Sequence, residues 1–179
     1  MAERDGDIRI LVMGGSQGAK ILNDTLPVTM AQLGEGFAVM HQAGKNNQQQ
    51  VIEQYKSHSV DNVQVTEFID DVAQAYEWAD LLVCRSGALT VSEVSAAGVG
   101  SIFVPFMHKD RQQALNADHL VECGAALMIE QPQLTADKLA NTIAQLDRNE
   151  LKMMATKARQ AAKLDADVTV AEAIKALAK

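Results

Sequence analysis

The stretch Cys84-Arg85-Ser86-Gly87-Ala88-Leu89-Thr90-Val91-Ser92-Glu93 holds the residue types and spacing most able to do chemistry. It follows the apolar run Ala79-Asp80-Leu81-Leu82-Val83 and opens a helix-like run that continues to Ala97. A strand that ends in a small-residue turn and then a helix presents free backbone N–H groups at the positive end of a helix dipole, a geometry that binds phosphate. Glu93 stands one helical turn beyond the first helical residues, so it can face the same mouth and accept hydrogen bonds from a sugar diol. A phosphate reader beside a hydroxyl reader suggests a nucleotide or nucleotide-sugar. Ordinary capping explains the same residues: Ser and Gly commonly precede helices, and Thr90 to Glu93 fits a capping box. On this segment alone both readings stand.

A second loop, Gly14-Gly15-Ser16-Gln17-Gly18-Ala19, tips the balance towards a ligand. Its glycines permit a tight turn and close approach of a ligand to backbone. The spacing is not G-x-G-x-x-G, and Lys20 is followed by Ile21, so it is not a P-loop. A dinucleotide site would also want an acidic residue ending the second strand. That strand ends His41-Gln42-Ala43-Gly44-Lys45, which argues against NAD. The cluster His108-Lys109-Asp110-Arg111-Gln112-Gln113 is dense in hydrogen-bonding groups, and Gln112 and Gln113 carry the donors and acceptors that suit sugar hydroxyls; a solvated helix start is the plainer account. In Phe68-Ile69-Asp70-Asp71 an apolar pair could flank a planar base, or could form a hydrophobic staple with Asp70 or Asp71 as N-cap.

These loops need elements to hold them. Apolar strand-like runs at 8–13, 37–41, 63–65, 81–84, 101–105 and 125–129 alternate with helical stretches at 19–33, 46–58, 70–78, 88–97 and 111–122. The pattern then stays helical at 135–146, 150–163 and 168–178. Such alternation implies an α/β fold, a doubly wound, Rossmann-like parallel sheet covered by helices on both faces. Its ligands bind at the carboxyl ends of the strands near the topological switch point, where all four loops fall. Met153-Met154 and the Ala-rich C-terminal helices read as core or packing.

The chain of 179 residues suits one domain (1–179), with the all-helical part from about 135. Hydrophobic content of 47% and charged content of 22% are ordinary globular values. The net charge of −7 argues against a nucleic-acid partner. Cys84 and Cys123 show no metal spacing and read as buried free thiols in a reducing compartment. The histidines (His41, His58, His108, His119) have no partner at metal-ligand or triad spacing, and no nucleophile–base pair appears. No metal and no cofactor is therefore expected. No run of about 18 apolar residues occurs, and the first residues are no signal peptide. The expectation is a cytoplasmic domain with no direct membrane insertion.

Gly-Gly-Ser-Gln-Gly-Ala at 14–19, Thr-Glu-Phe-Ile-Asp-Asp at 66–71, the segment at 84–93 and His-Lys-Asp-Arg-Gln-Gln at 108–113 occur in one order that closely resembles the bacterial MurG family. These are the undecaprenyldiphospho-muramoylpentapeptide β-N-acetylglucosaminyltransferases, two-domain glycosyltransferases of the GT-B type. The resemblance runs from about Ile8 to the C-terminus and covers only the C-terminal, donor-binding half. It implies that Ile69 meets the uracil edge through its backbone with Phe68 lining the base, and that Glu93 binds the ribose hydroxyls. It further implies that Ala88, Leu89 and Thr90 cradle the diphosphate with Ser16, and that Gln112 and Gln113 read the N-acetylglucosamine hydroxyls. The family transfers N-acetylglucosamine from UDP-GlcNAc to lipid I, giving lipid II with inversion, at the cytoplasmic face of the membrane. No candidate base is present in this chain, so the catalytic base and the lipid I site are expected in an absent N-terminal acceptor domain. The face that would meet that domain is expected to favour self-association. Gly100 stands where the family usually has proline, which should loosen a helix-to-strand turn. Two other architectures share the motifs: the soluble donor subunit of a split two-subunit transferase, and a non-catalytic nucleotide-sugar sensor. The polar start before Ile8 reads as a cut within a longer protein.

Overall fold

The computed structural model describes residues 4–177. Six strands form one parallel sheet: β1 (Ile8–Met13), β2 (Phe37–Gln42), β3 (Val63–Thr66), β4 (Leu81–Cys84), β5 (Gly100–Phe103) and β6 (Ala126–Met128), in the order β3-β2-β1-β4-β5-β6. The chain winds outward from β1 to β3, then returns to place β4 on the other side of β1. The topological switch therefore lies between β1 and β4, with Met13 opposite Cys84 at its carboxyl end.

Alternation within the strands feeds two cores. Ile10, Val12, Val39, Val83 and Ile102 point to one face. They pack under α1 (Lys20–Leu33), α2 (Gln48–Ser57) and α6 (Ala136–Ala144), whose contributions include Leu22, Leu26, Tyr55, Leu139 and Ile143. Leu11, Leu82, Cys84 and Phe103 point to the other face. There they meet α3 (Val72–Trp78), α4 (Ala88–Ala97) and α5 (Gln112–Glu122) through Ala75, Tyr76, Val91, Val94 and Leu120. Strands buried on both faces explain the continuous apolar runs of the sequence.

At the edge of the sheet opposite the loops, the nearly buried Asp80 gathers three partners. Arg4 Nη1 donates to its Oδ1 at 2.8 Å, and the Arg9 amide and Arg148 Nη1 donate to its Oδ2 at 3.0 and 3.4 Å. This ties the segment before β1 and the start of α7 (Arg148–Ala161) to β4.

Several sequence expectations need correcting. Helix α7 begins at Arg148, two residues ahead of the expected start, because Asp147 caps it in a reciprocal box with Glu150. Gly100 is no loosened turn: it is the buried first residue of β5, and a Cβ there would lie 3.0 Å from Met154 Cβ of α7. Cys84 is buried, but Cys123 is exposed, because it sits at the surface end of α5. Met154 is core whereas its neighbour Met153 is exposed. The last helix, α8 (Ala166–Leu177), buries none of its residues, so it is not core packing; the expected end at Ala178 lies outside the described residues.

Candidate functional site

The four loops picked out by their chemistry follow β1, β3, β4 and β5, so they all open at the carboxyl edge of the sheet. At its centre is the turn between β4 and α4. The N-cap of α4 is Gly87 rather than a side-chain cap, and the first amide with an intrahelical acceptor is Val91, bonded to the Gly87 carbonyl at 3.0 Å. Thr90 and Glu93 therefore form no capping box; they sit inside the first turns of the helix. The amides of Ala88, Leu89 and Thr90 have no acceptor among the described residues. They face the mouth with the positive end of the helix dipole, beside the β1/β4 switch.

The turn itself is held rigidly. Arg85 Nη1 donates to the Val104 carbonyl at 2.9 Å, and its guanidinium lies 5.5 Å from the centre of the half-exposed Phe106 ring. Burial lowers the Arg85 pKa from its ordinary value. Asn116 Nδ2 donates to the Ser86 carbonyl at 3.1 Å. The Ser86 hydroxyl is fully buried and has no hydrogen-bond partner among the described residues. A buried hydroxyl left unsatisfied is costly and needs a reason, and a bound oxyanion at this turn would supply one.

The first loop is fastened by Gln42, the last residue of β2. Its Oε1 accepts from the Gly14 and Gly15 amides at 3.2 and 3.1 Å, and its Nε2 donates to the Gly15 and Glu67 carbonyls at 3.0 and 2.7 Å. One buried amide thus joins the loops after β1 and β3. Gly18 and Gly44 press together beside it: a Cβ on Gly18 would lie 2.1 Å from the Ala43 carbonyl oxygen, and one on Gly44 2.2 Å from the Gly18 nitrogen. Ser16 stands exposed on this loop, its carbonyl accepting from the Lys45 amide at 3.3 Å.

Below these loops lies a buried polar chain. Asn23 Nδ2 donates to the Ala43 carbonyl at 3.0 Å, so Asn23 Oδ1 is an acceptor and His41 Nε2, 3.0 Å away, must carry the proton. His41 Nδ1 then accepts from the Tyr55 hydroxyl at 2.9 Å. Burial holds His41 neutral, with its pKa lowered to about 3. His41 is thus spent on joining α1 and α2 to β2 and the loop that follows it.

In the loop after β3, Phe68 is half-exposed and Ile69 is partly buried against the second core. Ile69 makes no backbone hydrogen bond among the described residues. Both line a hollow of about 410 Å³ with Thr66, Asp71 and Trp78. Asp71 is the N-cap of α3, its carboxylate accepting from the Gln74 amide at 2.9 Å; Asp70 does not take that role. Glu93 is exposed and lines a separate hollow of about 740 Å³ between α3 and α4. Its Oε2 accepts from the Tyr76 hydroxyl at 3.0 Å.

The β5–α5 loop divides the labour of its glutamines. Gln113 Oε1 accepts from the Phe106 amide at 2.9 Å and so holds the loop, whereas the Gln112 side chain is exposed and unpaired among the described residues. Asp110 accepts from the Gln112 amide and from His108, and the first of these contacts is the main cause that lowers its pKa. Arg111, left-handed at φ 51°, reaches Glu130 at 2.8 Å. Among the described residues no group of three or more His, Cys, Asp or Glu side chains could hold a metal ion.

Sequence reasoning passed over Gln42, Tyr76 and Asn116, and read Ser86 only as part of the turn or as an ordinary residue before a helix. A polar residue closing a buried strand beside a glycine loop was the available signal for Gln42. Tyr76 and Asn116 lie on helices whose facing partners sequence does not reveal.

A doubly wound parallel sheet with an uncapped helix N-terminus at its switch point is the Rossmann-like architecture of one half of a GT-B glycosyltransferase. The chain belongs to the family described as the glycosyltransferase family 28 C-terminal domain, which matches residues 9–174. It is 99% identical over all of its 179 residues to a UDP-N-acetylglucosamine–N-acetylmuramyl-(pentapeptide) pyrophosphoryl-undecaprenol N-acetylglucosamine transferase of Vibrio atlanticus, of which it covers 51%. It is 72% identical to the protein of that name in Vibrio cholerae, over 98% of this chain and 50% of that protein. Among solved structures, Acinetobacter baumannii MurG superposes with a TM-score of 0.91 at 39% identity, over 97% of this chain and 51% of that one. The calicheamicin glycosyltransferase CalG4, at 17% identity and a TM-score of 0.63, shares the fold. The chain spans about half the length of the curated relatives it matches.

Proposed function

We propose that this chain is the donor-binding half of the glycosyltransferase that moves N-acetylglucosamine from UDP-GlcNAc to lipid I in peptidoglycan synthesis. The observation that carries the reading is the uncapped N-terminus of α4 at the β1/β4 switch, with its free amides and the orphaned Ser86 hydroxyl. The names of the relatives supply the donor and acceptor classes. In this reading the amides of Ala88, Leu89 and Thr90 hold the diphosphate together with Ser16. Phe68 and the Ile69 backbone take the uracil, Glu93 takes the ribose diol, and Gln112 with the remaining donor of Gln113 reads the sugar.

The acceptor C4 hydroxyl attacks the sugar C1 from the face opposite the diphosphate, which leaves as UDP with inversion at C1. Negative charge grows on the departing phosphate, and a preorganised helix N-terminus stabilises that charge without reorganising. The step also needs a base within hydrogen-bond reach of the attacking hydroxyl. In this reading the base and the lipid I site belong to another part of the enzyme. The relatives are single polypeptides about twice this length, which supports half of one enzyme over a separate subunit or a sensor. The whole enzyme would work at a membrane surface, because its acceptor is carried on undecaprenol. No helix among the described residues is long and apolar enough to span a membrane.

A calorimetric or NMR titration of the chain with UDP-GlcNAc tests the reading, with UDP-N-acetylgalactosamine and GDP as controls. The expected result is selective binding, micromolar or weaker (about −8 kcal/mol or less favourable), that perturbs Ile69, Thr90, Glu93 and Gln112. Equal response to GDP would overturn it. Lipid II synthesis by the purified chain would overturn the assignment of the base to another domain.

A further inference from the structure

Tyr76, on α3 beside α4, is a core residue whose polar atom reaches an exposed side chain. Its ring is 5% exposed and belongs to the second core, on the face of α3 that meets α4. Its hydroxyl donates to Glu93 Oε2 at 3.0 Å, yet Glu93 itself is exposed. An exposed glutamate normally samples several rotamers, and holding it still costs entropy. Here the anchor is a rigid aromatic from the core, so that cost is met during folding instead of on binding. One carboxylate oxygen is held from below, and Oε1 has no protein partner among the described residues. Burial, followed by the neighbouring Glu93 carboxylate, pushes the Tyr76 pKa up, which keeps the phenol a donor. Helix α3 also begins directly after the loop that carries Phe68 and Ile69. The one hydrogen bond therefore links the helix behind the base loop to the carboxylate on α4.

We infer that Tyr76 is a positioning residue. It fixes the Glu93 carboxylate in the orientation that accepts a ribose diol, and so couples base recognition to hydroxyl recognition. This rests on the assignment of Glu93 to the ribose under the proposed function. The plain alternative is that Glu93 merely satisfies a buried tyrosine hydroxyl, in which case Tyr76 affects stability and nothing else.

The test is an NMR titration of the chain with UDP-GlcNAc and with its 2′-deoxyribose analogue, for the unmodified protein, Tyr76→Phe, Glu93→Ala and the double variant. Phenylalanine keeps the ring and the packing. We expect Tyr76→Phe to weaken UDP-GlcNAc binding about 3- to 10-fold, the scale of releasing one immobilised side chain. It should leave the 2′-deoxy analogue nearly unaffected and add nothing to Glu93→Ala. If Glu93→Ala weakens UDP-GlcNAc while Tyr76→Phe does not, the positioning role is overturned and the ribose assignment survives. If Tyr76→Phe weakens both ligands equally, or still acts in the Glu93→Ala background, its effect is structural and the inference fails. If Glu93→Ala changes neither ligand, or the unmodified chain binds neither, the ribose assignment falls and takes this inference with it.

Discussion

Gln42 shows how much a single side chain can organise. Its amide uses both faces to hold the loops after β1 and β3, and it is 4% exposed. Truncation to alanine would strand two backbone amides and two carbonyls at a partly buried position. Water can reach some of them, so the full desolvation penalty of every group does not apply. Gln42→Ala should destabilise the fold by about 2–3 kcal/mol, read as a lower urea midpoint with an unchanged slope. An unchanged midpoint would mean that water replaces the amide. The residue also shows what a sequence hides: glutamine at the end of a buried strand is visible in the chain, but the loops it joins are 25 and more residues away.

At the scale of elements, the His41–Tyr55–Asn23 chain ties β2, α2 and α1 together beneath the loops. Its burial makes the fold acid-sensitive in a definite direction. The folded pKa of His41 is near 3, against an ordinary value of 6.5. Below pH 6.5 the unfolded chain therefore takes up a proton that the folded chain refuses. The stability this group contributes is complete above pH 6.5 and falls as the pH drops towards 3, by up to about 1.4 kcal/mol per pH unit. Urea unfolding at pH 7 and pH 5 should show this loss, and His41→Gln should reduce it. An identical loss in the variant would assign the acid sensitivity to other groups. The strand–helix order was legible throughout, because apolar runs and their spacing are local properties. Caps were harder: Asp71 and Asp147 take their caps, but the helix that matters most starts on Gly87 with no side-chain cap at all. A capping box drawn over Thr90 and Glu93 is locally plausible, and only the path of the chain shows that both residues are already helical.

At the scale of the whole molecule, the domain closes its cores without α8. That helix buries nothing, and Val168, Val170, Ile174 and Leu177 are all more than half exposed. A chain ended after Lys163 should therefore keep its denaturation midpoint within about 0.5 kcal/mol, the range of surface changes that touch no packed feature. If the exposed apolar residues of α8 drive self-association of the domain, sedimentation should show it weakening in the shortened chain. A large loss of stability instead would show that α8 packs on the domain in solution. Composition could not reveal this exposure, because alanine-rich amphipathic stretches look alike whether or not a partner covers them.

Taken alone, the sequence determined the order of strands and helices, the doubly wound class and the four loops at one edge of the sheet. Each follows from periodicity, or from residue types that only certain turns accept. The tertiary structure decided which polar groups are free and which are committed. It spent His41, Gln42 and one end of Gln113 on holding loops, left the first three amides of α4 and the Ser86 hydroxyl without partners among the described residues, and set Tyr76 beneath Glu93. The physical reason is that hydrogen bonds between residues distant in sequence depend on strand order and helix facing, which no local pattern encodes.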